Sequence, residues 1–129
     1  MSTADSARLV RPENRVHGDP TPGLTRESAI DIDGLWAGVV RTAPGATSGW
    51  HHHGDHETSI YVAEGTLRME SGPGGRHVID AVAGDFVHVP KGSVHRESNL
   101  GSQESRLVVV RAGRGAPTIN VGAPALGAG

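Results

Sequence analysis

The chain contains no cysteine. That one absence removes disulfides, thiolate-ligated metals and a thiol nucleophile together. Aromatic residues are almost as scarce, with two Trp, one Tyr and one Phe in 129 residues. Stacking platforms for nucleic-acid bases need more than that. The formal net charge is only −2, and the basic residues are scattered. Neither a nucleic acid nor an anionic membrane would find an electrostatic footprint here. No apolar run approaches membrane-spanning length, and Met1 to Val10 lack the apolar core of a signal peptide. The expectation is a cytoplasmic protein with no nucleic-acid or membrane partner. Amphipathic helices are missing too: no segment carries an apolar period of 3.6 over eleven or more residues.

What is abundant is turn chemistry. Nineteen Gly and eight Pro are spread along the whole length. Between them lie short β-favouring segments: 35–42, 49–53, 58–63, 66–71, 77–81, 85–89, 95–97 and 106–111. Each break has its turn residues, such as Gly54-Asp55, Glu64-Gly65, Gly72-Pro73-Gly74-Gly75 and Lys91-Gly92. This rhythm predicts one all-β domain, a sandwich or barrel. Residues 1–28 read as an irregular Pro-rich arm. An edge strand is expected near Arg8-Leu9-Val10, and a helical turn or strand start at Thr25–Ser28. Residues 29–121 form the β-domain, with a last edge strand at 118–121. Residues 122–129 read as a frayed tail.

Two stretches concentrate the chemistry. The first is Trp50-His51-His52-His53-Gly54-Asp55-His56-Glu57, and the second is Pro90-Lys91-Gly92-Ser93-Val94-His95. A strand shows alternate side chains on one face, so His51 and His53 point one way while Trp50 and His52 point the other. His95, just past a Pro-x-Gly turn, can meet them from another strand. Three imidazoles with a carboxylate and no sulfur suit one divalent ion of iron, manganese, nickel, zinc or copper. Other features read as structural. His88 reads as a packed or interface histidine, His56 as an exposed turn residue, Asp85 as a turn anchor and Gly72–Gly75 as a hairpin tip. No arginine or carboxylate cluster indicates the charge of a substrate.

These residues resemble the paired motifs of the cupins. The first motif is Gly45, five residues, His51-His52-His53, then Glu57 and Gly65. The second matches without a gap: Gly84, Pro90, Gly92, His95 and Asn99. The resemblance implies a double-stranded β-helix, a jelly-roll-like barrel. It implies a metal held by His51, His53, Glu57 and His95, and a homodimer formed through barrel edges or the N-terminal arm. It also implies small-molecule chemistry of dioxygenase, isomerase or lyase type. The alternative is a cupin that binds or senses a metal or small ligand without turnover. One spacing departs from the pattern: seven residues separate Glu57 from Gly65, where the family has six. Counting back from Gly65 puts Thr58 in the carboxylate slot, and a strand facing Thr58, Ile60 and Val62 inward makes the better core. Either a β-bulge brings Glu57 in as a ligand, or the site is three histidines with Glu57 or His56 nearby.

Overall fold

The computed structural model describes residues 5–19, 21–116 and 118–125. Eleven strands follow one another among these residues: β1 (Val16–His17), β2 (Leu24–Ile32), β3 (Leu35–Thr42), β4 (His51–His52), β5 (Glu57–Glu64), β6 (Thr66–Ser71), β7 (His77–Val82), β8 (Phe86–Val89), β9 (His95–Ser98), β10 (Ser105–Ala112) and β11 (Ile119–Asn120). They form a six-stranded sheet ordered β1-β2-β3-β10-β5-β8 and a five-stranded sheet ordered β11-β4-β9-β6-β7. Every pairing is antiparallel. This is an all-β domain, as the spacing of turns predicts, and it has the double-stranded β-helix architecture that the resemblance implied.

The core lies between the sheets and follows strand parity. Along β5, Thr58, Ile60 and Val62 are buried while Glu57 and Ser59 are exposed. Along β10 the buried row is Ser105, Leu107, Val109 and Arg111. Ile60, Val62, Met69 and Leu107 are the most completely enclosed members of the apolar core. Each such side chain contributes about 1.5–3 kcal/mol by leaving water. The closing charge in the β10 row breaks the apolar pattern.

The segment before the barrel is more ordered than its composition suggests. Thr25–Ser28 are part of a nine-residue strand, β2, paired along most of its length with β3. The edge strand falls at Val16–His17 and pairs with Ser28 and Glu27; Arg8, Leu9 and Val10 lie outside any strand. At the other end, β11 adds to the five-stranded sheet beside β4. Of the tail read as frayed, residues 126–129 lie outside the described residues. Among the described residues no helix is long and apolar enough to cross a membrane.

Glycine is required where backbones or rings crowd. A Cβ on Gly38 would stand 2.6 Å from the ring of Trp36 and would meet the Glu27 carbonyl. Trp36 therefore lies across β3 because position 38 carries no side chain. Gly92 (φ +71°) makes the Pro90–Ser93 turn, and its N–H donates to the Gly54 carbonyl at 2.9 Å. That bond ties together the turns that precede His95 and follow His53.

Candidate metal centre

β4 and β9 are neighbours, and His51 is the direct cross-strand partner of His95. Parity places His53 on the same face as His51. All three histidines are buried, with exposures of 5%, 2% and 0% for His51, His53 and His95. Their ring centroids are 4.3 to 5.1 Å apart. One nitrogen from each lies within 4.8 Å of the others.

Backbone carbonyls fix two of the rings. His51 Nδ1 is 2.9 Å from the Gly49 carbonyl, and His95 Nδ1 is 2.9 Å from the Ser93 carbonyl. A carbonyl only accepts, so each Nδ1 carries the proton and each Nε2 presents a bare lone pair in the neutral ring. Both histidines use the same device, a bond to the carbonyl two residues back. Metal-binding imidazoles are held in this way. His95 Nε2 is fully buried and has no hydrogen-bond partner among the described residues. An enclosed, unpaired acceptor is costly unless something fills its place, and a divalent cation fits this donor set.

The carboxylate beside the histidines is Glu97, not Glu57. Glu97 follows His95 by two residues on β9 and shares its face. Its Oε1 lies 3.6 Å from His95 Nε2 and 3.8 Å from His51 Nε2. Burial alone would raise the Glu97 pKa. The contact with His95, and the charges that His95, His51 and His53 carry when protonated in acid, overcome this and hold it at about 2. The carboxyl is therefore an anion. Burial lowers the His51 pKa, partly against the pull of Glu97, so His51 is neutral and able to coordinate at neutral pH.

Glu57, the carboxylate that the motif implied as a ligand, points outward. Its side chain is 49% exposed and lies 2.7 Å from His88 Nε2, while its other oxygen accepts the Lys91 N–H at 3.1 Å. These contacts, His88 first, hold its pKa below the usual carboxylate value. No bulge turns it inward. The single irregularity in the β5–β10 ladder leaves Ala63 unpaired, far downstream of Glu57. Thr58 takes the inward position and is 1% exposed. Its hydroxyl is another buried polar atom without a partner among the described residues.

The remaining histidines divide differently from the sequence reading. His52 faces away, and its Nδ1 accepts the Gly54 N–H at 3.0 Å. His56, expected in solvent, is 6% exposed, and its Nδ1 is 2.8 Å from the His53 carbonyl. It braces the turn after His53 and does not join the cluster. His88 is 66% exposed and pairs with Glu57. Asp85 holds its turn by accepting the Val82 N–H at 2.8 Å. Asn99, which ends the second motif, is structural. Its amide donates to the carbonyls of Thr42 and Gln103 and accepts the Gly101 N–H.

The sequence reading missed Glu97 and the environment across from it. Arg111 and Arg26 lie on the inner side of the six-stranded sheet, 85 residues apart in sequence. Arg111 stacks over Trp36 at 4.8 Å from the ring centroid, and both arginines line one cavity of about 300 Å³. Parity gave a signal for both residues: Glu97 keeps step with His95, and Arg111 keeps step with Leu107 and Val109.

Known proteins agree with this architecture. The family model described as "Cupin domain" matches residues 38–111, more than half of the chain. An uncharacterized conserved protein with a double-stranded beta-helix domain from Klebsiella pneumoniae superposes with a TM-score of 0.73 at 23% identity, over 90% of this chain and 98% of that one. KdgF from Halomonas sp. gives 0.69 at 21% identity, over 84% and 96%. Oxalate decarboxylase from Bacillus subtilis gives 0.70 at 19% identity, over 80% of this chain but 29% of that one; that enzyme has Mn(II) centres. No protein of curated function matches the sequence. The fold, the two motifs and the family match agree: this chain belongs to the cupin family.

Proposed function

We propose that the protein is a metal-dependent enzyme acting on a small oxygen-bearing molecule, with one divalent ion held by His51, His53, His95 and Glu97. The observation that carries this reading is the buried meeting of three imidazole nitrogens within 4.8 Å. Two of those rings are fixed so that Nε2 is unprotonated. When bound, such an ion polarises a carbonyl or enolate oxygen and lowers the pKa of water. The protein's own groups do the rest. The Gly49 and Ser93 carbonyls orient the rings. Glu97 supplies the one negative charge of the donor set. The buried walls exclude bulk water, which strengthens every charge interaction inside.

Imidazoles with a carboxylate suit manganese, iron, nickel, zinc or copper. Manganese stands first among them because the oxalate decarboxylase neighbour carries Mn(II) centres. The chemistry that fits is polarisation of a carbonyl-bearing substrate, in a lyase, isomerase or dioxygenase reaction. The test is turnover by metal-loaded protein of diketones, catechol-like compounds and acidic sugars, with His51→Ala as control. Turnover that needs both the metal and His51 supports the enzyme reading. A bound metal and ligand without turnover returns the alternative of a binding or sensing module. The cupin resemblance also leads us to expect a homodimer, and light scattering that reads a single chain refutes it.

A further inference from the structure

A permanent charge ends a row of core side chains. On β10 the inward residues are Ser105, Leu107, Val109 and Arg111, and Arg111 is only 7% exposed. Its guanidinium stays protonated at any physiological pH. Among the described residues nothing hydrogen-bonds it, and its Nε is fully buried without a partner. Nor does any carboxylate lie within ion-pair distance, although the more distant Glu97 and Arg26 charges both act on it. Removing such a cation from water costs several kcal/mol. Stacking on Trp36 returns about 2 kcal/mol, only part of that cost.

The surroundings share this unmet demand. Thr58 is the cross-strand partner of Arg111 on β5, on the same inner face, and its hydroxyl is also unpaired. Arg111 lines the cavity of about 300 Å³ with Arg26, Ser28, Trp36 and His17. That is the volume of about ten waters. Arg26 gives one Nη1 hydrogen to Thr21 Oγ1 and keeps other donors. Asp31 also lines the cavity but is solvent-exposed, so water screens its charge. Thr118 lines the cavity too, and the next residue, Ile119, is the cross-strand partner of His52, which lies between His51 and His53 in the chain. The cavity therefore lies beside the strand next to the histidines.

We propose that this cavity is the carboxylate subsite of the enzyme. A small acid places its carboxylate against Arg111 and Arg26, and its reacting oxygen faces the histidine centre. A planar guanidinium fork matches a carboxylate in two parallel hydrogen bonds. The bound acid would satisfy the buried Arg111, which has no hydrogen-bond partner among the described residues. The assignment rests on the proposed metal centre only for the far end of the substrate.

The test compares pyruvate and succinate with their methyl esters by calorimetry, at low ionic strength, on metal-loaded and metal-free protein. The expected result is binding of an acid at least tenfold tighter than its ester. Arg111→Gln and the less buried Arg26→Gln should each lose that preference while retaining wild-type metal content, and Arg111→Lys should keep part of it. The wild-type acid–ester comparison needs no variant, so misfolding of Arg111→Gln does not spoil it. Absence of any acid–ester difference overturns the proposal, as does inorganic phosphate binding in place of both acids. If the preference needs metal and survives both arginine substitutions, the carboxylate subsite falls and the metal centre stands. If the protein takes up no metal yet prefers acids through the arginines, the metal reading falls and the subsite stands.

Discussion

Replacing Glu97 with Gln keeps the size and shape of the side chain and removes its charge. In the structure that charge lies 3.6 and 3.8 Å from the Nε2 atoms of His95 and His51, which are the atoms offered to a metal. Two unit charges about 4 Å apart interact by about 4 kcal/mol at an effective dielectric constant near 20. A divalent ion would double this, and the dehydration of a buried carboxylate takes much of it back. A net loss of about 3 kcal/mol is then expected, or roughly a hundredfold weaker metal binding at 1.4 kcal/mol per decade. A hundredfold weaker affinity also removes about 2.7 kcal/mol of metal-linked stability at saturation. The assay is competition with a chelator of known affinity, together with thermal unfolding with and without metal. Glu57→Gln is the matched control, because Glu57 faces solvent and pairs with His88. Its metal affinity should stay within about twofold of wild type, since exposed pairs contribute little. The reasoning fails if Glu97→Gln binds metal like wild type, or if Glu57→Gln is the variant that loses it.

Further outcomes follow from the packing. His52→Ala should leave metal content at the wild-type level, because that ring faces away and accepts the Gly54 N–H; loss of metal in this variant would mean that the strand register is wrong. Gly38→Ala should destabilise the fold by about 1–3 kcal/mol and shift the tryptophan emission, since the new methyl group collides with Trp36; an unchanged melting temperature and spectrum refute this. Leu107→Ala, at 0% exposure in the core, should cost about 2–5 kcal/mol in denaturant unfolding. Asn99→Ala should cost about 3 kcal/mol or more, because it strands the Thr42 and Gln103 carbonyls and the Gly101 N–H. A loss below about 1 kcal/mol would show that water replaces the amide.

Much of the fold was legible because strand parity and turn residues are local signals. The segments 35–42 and 66–71 coincide with β3 and β6. The inward set Thr58, Ile60 and Val62 follows from core packing alone. The same rule places His51 and His53 together, and His95 reaches them because β9 lies beside β4. Glu57 holds the carboxylate place that the motif implies, but strand parity turns Thr58 inward and leaves Glu57 outside beside His88. Glu97 lies two residues after His95 on β9, and parity alone puts both on one face. The meeting of Arg26 with Arg111 was not legible in sequence. It depends on β3 lying between β2 and β10, and no local pattern specifies which strands become neighbours. His56 was misplaced for a related reason: the turn that carries it is covered by distant chain, with Asp55 and His56 packed close to Gly113.

The central claim is that buried His51, His53 and His95 hold a metal ion. The metal-to-chain ratio of the purified protein, measured by elemental analysis, tests it most directly. One divalent ion per wild-type chain, falling to near zero in His95→Ala, is the result this account predicts. A metal-free wild type whose ratio stays near zero after incubation with manganese, iron, nickel, zinc or copper would contradict it.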